Sequence, residues 1–347
     1  MKNVYFITML IVYIIAHIGI NSKYESKFLS RLSAFVIFVI LVIISGFRTG
    51  IGDTFFYKHK YMLLVENPVA DFKDKDVGFT FFMLLLAKLS KDPQILIFVT
   101  SFITNLFIVI ALYKYSKPFE VGIFLYFGTV LYYVTMNGIR QSMVAAIMLW
   151  AVKYISEGRF IKYTALVLLL STLHQSAIIF IPLYFLVRTE AWSRTFWITL
   201  GSALVFTIAF KPLSGTTAGL LESTVYENYG QDMLTNEETV NSIRVLITLV
   251  PLVLAYFVRD RLKNEWPESR IFIYMALFNF IFMLLGTQYL YFYRLCIYFD
   301  LFNLILIPKL LQFYGKQKGM SLYVYLILLY LVFCWYQVDL WHEGYKN

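Results

Sequence analysis

Long apolar runs broken by short polar connectors alternate along the whole chain. They fall at 4–20, 32–46, 78–90, 94–113, 121–136, 140–155, 162–187, 194–210, 242–258, 271–290, 294–312 and 320–337. A helix needs about 20 apolar residues to cross a bilayer, so the pattern predicts an all-α, polytopic transmembrane helix bundle of roughly 11–13 membrane segments, several of them short or re-entrant. Three regions are polar: 47–77, 211–241 and the connector 259–270. No internal repeat, low-complexity stretch or soluble domain is visible. Residues 1–347 therefore read as a single integral membrane domain, with 47–77 and 211–241 as outward loops. The first run, Val4 to Ile20, follows one lysine and lacks a small-residue cleavage site, which predicts a retained helix.

Composition sharpens this picture. Of 347 residues, 60% are hydrophobic and 15% charged, with mean hydropathy +0.69. Soluble domains are about 45–50% apolar and about 25% charged, so this chain has too little polar surface to cover a water-exposed core. The net charge of +9 does not point to nucleic acid, because the basic residues punctuate the ends of apolar runs. Cys296 and Cys334 both lie inside apolar runs, where neither spacing nor neighbours suggest a metal or a disulfide.

Lysine and arginine counts in the connectors give an orientation. Segments 153–162, 259–270 and 309–319 are basic and read as cytoplasmic. The 211–241 loop carries Lys211 against Glu222, Glu227, Asp232, Glu237 and Glu238, and reads as external. Passing from inside at 162 to outside at 211 needs an odd number of crossings, but two unbroken spans give an even one. A break of 162–187 at Leu173-His174-Gln175-Ser176 restores parity, places His174 toward the outer side, and offers Ser176 as an N-cap. Non-helical backbone at membrane depth survives only where it lines protein or water, so the break is a candidate site. With the N-terminus outside, the preferred orientation, segment 78–90 dips into the membrane and returns. The opposite orientation removes that dip but places Lys23, Lys27 and Arg31 outside.

Four polar clusters could carry chemistry. Arg48-Thr-Gly-Ile-Gly-Asp53, followed by Tyr57, combines a sharp Gly-rich turn with a guanidinium fork suited to phosphate. An interfacial snorkelling arginine is the plainer reading. Asn137-Gly138-Ile-Arg140-Gln141 opens a helix with almost no preceding loop, and an arginine in such surroundings is costly and marks function. His174 suits either a base or a diphosphate ligand. Tyr289-Leu-Tyr291-Phe-Tyr293-Arg294, together with Tyr226 and Tyr229 of the acidic loop, supplies rings of the kind that stack on sugars, although tyrosine belts are also routine at membrane interfaces. The stretch Asp71-Phe-Lys-Asp-Lys-Asp76 alternates charge and reads as a solvated loop. No metal-ligand spacing, Walker loop or dinucleotide fingerprint occurs.

Taken in order, Arg48-x-Gly-x-Gly-Asp53, then Asn137-Gly-Ile-Arg-Gln141, then Leu173-His-x-Ser-Ala177 resemble the EpsG/Wzy type of bacterial polysaccharide polymerase over about residues 30–310. One departure is that the family usually has Gly-Thr-Asp where this chain reads Gly52-Asp53-Thr54. The resemblance implies a GT-C-like glycosyltransferase of the bacterial cytoplasmic membrane. It would move a growing glycan from undecaprenyl diphosphate onto a lipid-linked repeat unit at the outer face, with no cofactor. A flippase and a chain-length regulator are the implied partners. An O-antigen ligase-like transferase and a lipid-linked oligosaccharide transporter are the alternatives. Departure of a diphosphate calls for cationic stabilisation. That expectation falls on Arg140, Arg294 and Arg48 for the diphosphate, His174 or Asp53 as the base, and Gln141, Tyr57, Tyr226, Tyr229 and Tyr293 for the glycan.

Overall fold

A computed structural model describes residues 2–20, 27–67, 76–221 and 239–344, the side chains of Ile20, 211–221 and 341–344 excepted. Among the described residues all regular structure is helical. Five helices are long and apolar enough to cross a membrane, and up to seven spans result if two bent pairs each count as one. Six shorter apolar helices accompany them.

By density of contacts the chain forms two compact units, residues 1–184 with 304–347, and residues 185–303. The first contains α1 (Lys2–Ile20), α2 (Lys27–Gly46), α3 (Thr54–Glu66), α4 (Val77–Ala87), α5 (Gln94–Tyr115), α6 (Phe119–Gly128), α7 (Leu131–Asn137), α8 (Ile139–Trp150), α9 (Val152–Ser156) and α10 (Phe160–Leu173). A 3₁₀ turn over Gln175–Ile179 leads into α11 (Phe180–Leu186).

The exterior of this unit inverts that of a soluble protein. On α1, Ile7, Ile11, Ile14 and Ile18 are exposed at helical spacing, while Met9, Val12 and Ala16 face inward. A continuous exposed isoleucine stripe of this kind suits a lipid surround, as the apolar length of the helix does. Polar residues instead sit inside as ties between helices. Central α5 buries Thr100, Ser101, Thr104 and Asn105. The Asn105 amide donates to Ser45 Oγ on α2 at 3.1 Å, and Tyr132 OH on α7 donates to the Leu41 carbonyl at 2.8 Å. Each such bond contributes about 0.6 kcal/mol in a membrane, so together they fix register more than they supply stability.

Several boundaries differ from the sequence expectation. Residues 47–77 are not all loop: α3 buries Thr54, Tyr57, Tyr61 and Leu64, one helical face, against its neighbours. The apolar run 121–136 is two helices, α6 and α7, bent by 58° where Val130 takes a left-handed φ of 60°. The run 162–187 breaks after Leu173 and forms a hairpin. Tyr163 OH near the start of α10 donates to the Phe180 carbonyl at 3.1 Å, and the Tyr184 ring lies 5.0 Å from that of Phe160. His174, rather than Ser176, occupies the cap position, with extended backbone (φ −154°, ψ 108°).

The second unit is built on α12 (Arg194–Leu221), α13 (Ser242–Phe257), α14 (Arg259–Glu265), α15 (Ser269–Leu285) and the first part of α16 (Tyr291–Leu311). Helix α12 carries helical backbone eleven residues into the 211–241 region. A bend of 72° separates α13 from α14. The remaining helix, α17 (Lys316–Gly344), returns to the first unit.

Candidate functional site

The break at His174 is where the chemistry collects. Asp76, at the cap position of α4, is buried with 5% of its surface exposed. Its Oδ2 accepts from Arg140 Nη1 at 2.7 Å and from His174 Nδ1 at 3.2 Å, and its Oδ1 accepts the Gln175 N–H at 2.9 Å. One carboxylate thus joins three helix ends: the start of α4, the start of α8 and the end of α10. The Arg140 guanidinium lies beside two rings that meet edge-on, 5.8 Å from the Tyr57 ring centroid and 5.7 Å from that of Phe79.

Close approach of α4 to α10 makes this contact possible, and Gly78 permits it. A Cβ at Gly78 would stand 2.2 Å from Thr172 Oγ1 and 2.9 Å from the Thr172 carbonyl carbon. Any larger residue would push the α4 N-terminus, and Asp76 with it, away from His174.

Electrostatics of the cluster follow from this geometry. Burial alone would raise the Asp76 carboxyl, but hydrogen bonds from His174 and the Gln175 N–H, with the Arg140 charge, outweigh it. The group is held below the ordinary value of 3.8 and stays ionised at neutral pH. Its stabilising contribution is complete above the unfolded value and is lost only as pH falls through the lower folded one. An ionised carboxylate only accepts, so Nδ1 of His174 carries the proton toward Asp76 and a neutral imidazole has its lone pair on Nε2. Burial pushes the Tyr57 phenol up, so its hydroxyl keeps its proton beside Arg140.

Arg48 stands differently. It is 6% exposed and donates to Thr54 Oγ1 at 3.0 Å, Ser101 Oγ at 2.9 Å, the Met136 carbonyl at 2.8 Å and the Ser45 carbonyl. Burial lowers its pKa to about 10, which still leaves it charged at neutral pH. The Gly-rich turn beside it is pinned from the other side. Gly52 has φ +52°, and the Asp53 N–H donates to Asn137 Oδ1 at 2.9 Å. A Cβ on Gly52 would fall 2.3 Å from that oxygen. Asp53 is exposed and does not cap α3 through its side chain. Gln141 is buried on α8.

Of the other residues singled out from the sequence, Arg294 is exposed in the second unit with its guanidinium 4.7 Å from the Tyr291 ring centroid. Tyr293 is half-buried beneath Arg244 at 4.7 Å. Tyr226 and Tyr229 lie outside the described residues. Asp76 was passed over in a stretch read as solvated loop. Its signal was position, since the last acid of a charged run abutting an apolar helix with a glycine two residues on is a cap candidate. Sequence reasoning also missed Asp300 of α16, which accepts from the Asn279 and Asn303 amides at 3.1 and 3.3 Å. Among the described residues no group of three or more His, Cys, Asp and Glu side chains is arranged to hold a metal ion. Both cysteines are free and buried.

A family model described as the EpsG family matches residues 31–343, nearly the whole chain, and reaches beyond the span covered by the three motifs. Comparison with curated proteins and with solved structures gave no match.

Proposed function

The chain belongs to the EpsG family and is a multi-pass membrane protein of polysaccharide-polymerase type; from that premise we propose that the Asp76-centred cluster is the transfer site for a lipid-linked glycan. The donor is a growing glycan on undecaprenyl diphosphate, and the acceptor is a sugar hydroxyl of a second lipid-linked repeat. The C1–O bond to diphosphate breaks, a new C1–O bond forms to the acceptor oxygen, and the acceptor's proton passes to a base. Arg140 stabilises the departing diphosphate, for which a cation in partly buried surroundings is effective. His174 takes the proton on Nε2, with Asp76 fixing the ring's tautomer through Nδ1. Tyr57 and Phe79 pack beside the guanidinium.

The observation that carries this reading is a single buried carboxylate bound at once by an arginine and a histidine at a helix break. Arg48, saturated by protein acceptors, is assigned a positioning role: it fastens the α2 corner to α5 and to the carbonyl of Met136, four residues before Arg140. Asp53, exposed and outside the Asp76 cluster, is not the base in this scheme. Arg294 and Tyr293 belong to the second unit, and the proposal rests on the first alone. Charge counting in the connectors supports placing the site at the outer face of the cytoplasmic membrane.

The test is Arg140→Ala in cells lacking their own polymerase, with the variant's membrane abundance measured alongside. Glycan ladders should vanish and single capped repeats remain, reflecting a rate loss of about 10²–10³-fold. Wild-type ladders from the variant would overturn the assignment. Long glycans stranded on the carrier in the null strain would point instead to a ligase-like transferase.

A further inference from the structure

The second unit holds a cavity of about 310 Å³ at the N-terminal end of α15, bounded by α14 and the turn before α12. Arg259, Lys263, Arg270 and Trp192 line it together with Glu190 and Asp260. Three cations against two carboxylates leave one net positive charge, and the positive end of the α15 dipole adds to it. The acids are not spread evenly. Glu190 pairs with Lys263 at 2.7 Å, and Asp260 lies 3.9 Å from Arg259, which also covers the Tyr256 ring at 4.5 Å. Arg270 makes no hydrogen bond or ion pair with any described residue, and its Nε is buried without an acceptor. The indole Nε1 of Trp192 is likewise buried without an acceptor. Both residues line the basic cavity, and donors left there without a protein acceptor are a costly arrangement unless a ligand supplies the oxygens.

The surroundings say where that ligand comes from. The Trp192 ring packs at a tilt against Phe196 at 4.6 Å and Trp197 at 5.9 Å, and edge-on to Tyr256 at 5.2 Å. Trp197 and Phe257 beside it are exposed. A tryptophan–tyrosine cluster next to a basic connector, at the end of membrane helices, marks headgroup depth on the cytoplasmic side. Basic pockets at that depth recognise acidic lipid headgroups. We propose that this cavity binds the phosphate of an anionic phospholipid headgroup, with Arg270 and Trp192 Nε1 as its hydrogen-bond donors. This site is separate from the Asp76 cluster and does not depend on the reaction proposed there.

The experiment is thermal unfolding of the purified full-length protein in detergent micelles, titrated in parallel with phosphatidylglycerol, phosphatidylcholine and inorganic phosphate. Phosphatidylglycerol should raise Tm saturably, while the other two should not. Trp192→Phe keeps the ring and removes the donor. Like Arg270→Gln, it should weaken that response about tenfold. Should Arg270→Gln fail to fold, Trp192→Phe decides alone. Equal stabilisation by phosphatidylcholine, an unchanged response in Trp192→Phe, or a response to inorganic phosphate equal to that of the lipid would each overturn the proposal, the last by assigning the cavity to a soluble anion.

Discussion

Arg48 and Arg140 look alike in the sequence, each two residues from a glycine at the corner between two helices, yet the fold uses them in opposite ways. Arg48 is almost wholly enclosed and gives its hydrogen bonds to two hydroxyls and two carbonyls of the protein. Arg140 retains 22% side-chain exposure, is gripped by one carboxylate and is walled by two rings. A guanidinium bound by neutral acceptors on every side organises the chain around itself. One held by a counter-ion and a neighbouring phenol, and still part-exposed, is oriented at the surface of a site. The same residue type therefore separates into a structural hub and a binding group, and the difference can be broken experimentally.

The largest effect is expected at the hub. Arg48→Met removes the donors from four buried or half-buried acceptors and should cost about 3–5 kcal/mol. In practice the folded protein should be largely lost from membranes, as measured by abundance and by thermal unfolding in detergent. A variant folding normally but lacking activity would instead move Arg48 into the binding group.

On the other side of the comparison, His174→Asn should leave folding nearly intact. Asparagine keeps a donor near the Nδ1 position facing Asp76 but removes the Nε2 lone pair. Polymerisation by the purified variant should fall about 10²–10³-fold in kcat, with KM for the lipid-linked repeat little changed. A fall in Tm matching that of Arg48→Met would merge the two regions into one structural network.

Gly78→Ala sharpens the boundary between them. The added methyl meets Thr172, including its backbone carbon, so strain of about 1–3 kcal/mol is expected. That strain should pull Asp76 from His174 and lower activity more than the Tm shift alone accounts for.

Much of the architecture was legible in the sequence because a membrane imposes simple rules. Apolar length, scarce charge and basic connectors gave an all-helical polytopic chain, and parity of crossings located the break at His174. The bend at Val130 was hidden, since a left-handed valine breaks a helix without any change in hydropathy. Helix α3 was hidden by its exposed Phe55 and Phe56, which mask the inward spacing of Tyr57, Tyr61 and Leu64. Arg140 and His174 could be named because each is a polar residue where apolar ones are the rule. Asp76 could not, because its neighbours Lys73, Asp74 and Lys75 made it look solvated, and only the tertiary approach of α4 to α10 takes it out of water. That arginine and histidine share one carboxylate is a long-range fact of the fold, with 64 and 98 residues separating Asp76 from its partners.

The central claim is that Asp76 sets both groups in place, and Asp76→Asn tests it most directly because the change preserves size and removes the charge. The measurement is the rate at which purified, folded variant extends an undecaprenyl-diphosphate-linked repeat, with Tm recorded on the same preparation. A rate about 10–100-fold below wild type is expected, in protein that still unfolds cooperatively. A folded Asp76→Asn protein polymerising at the wild-type rate would contradict it.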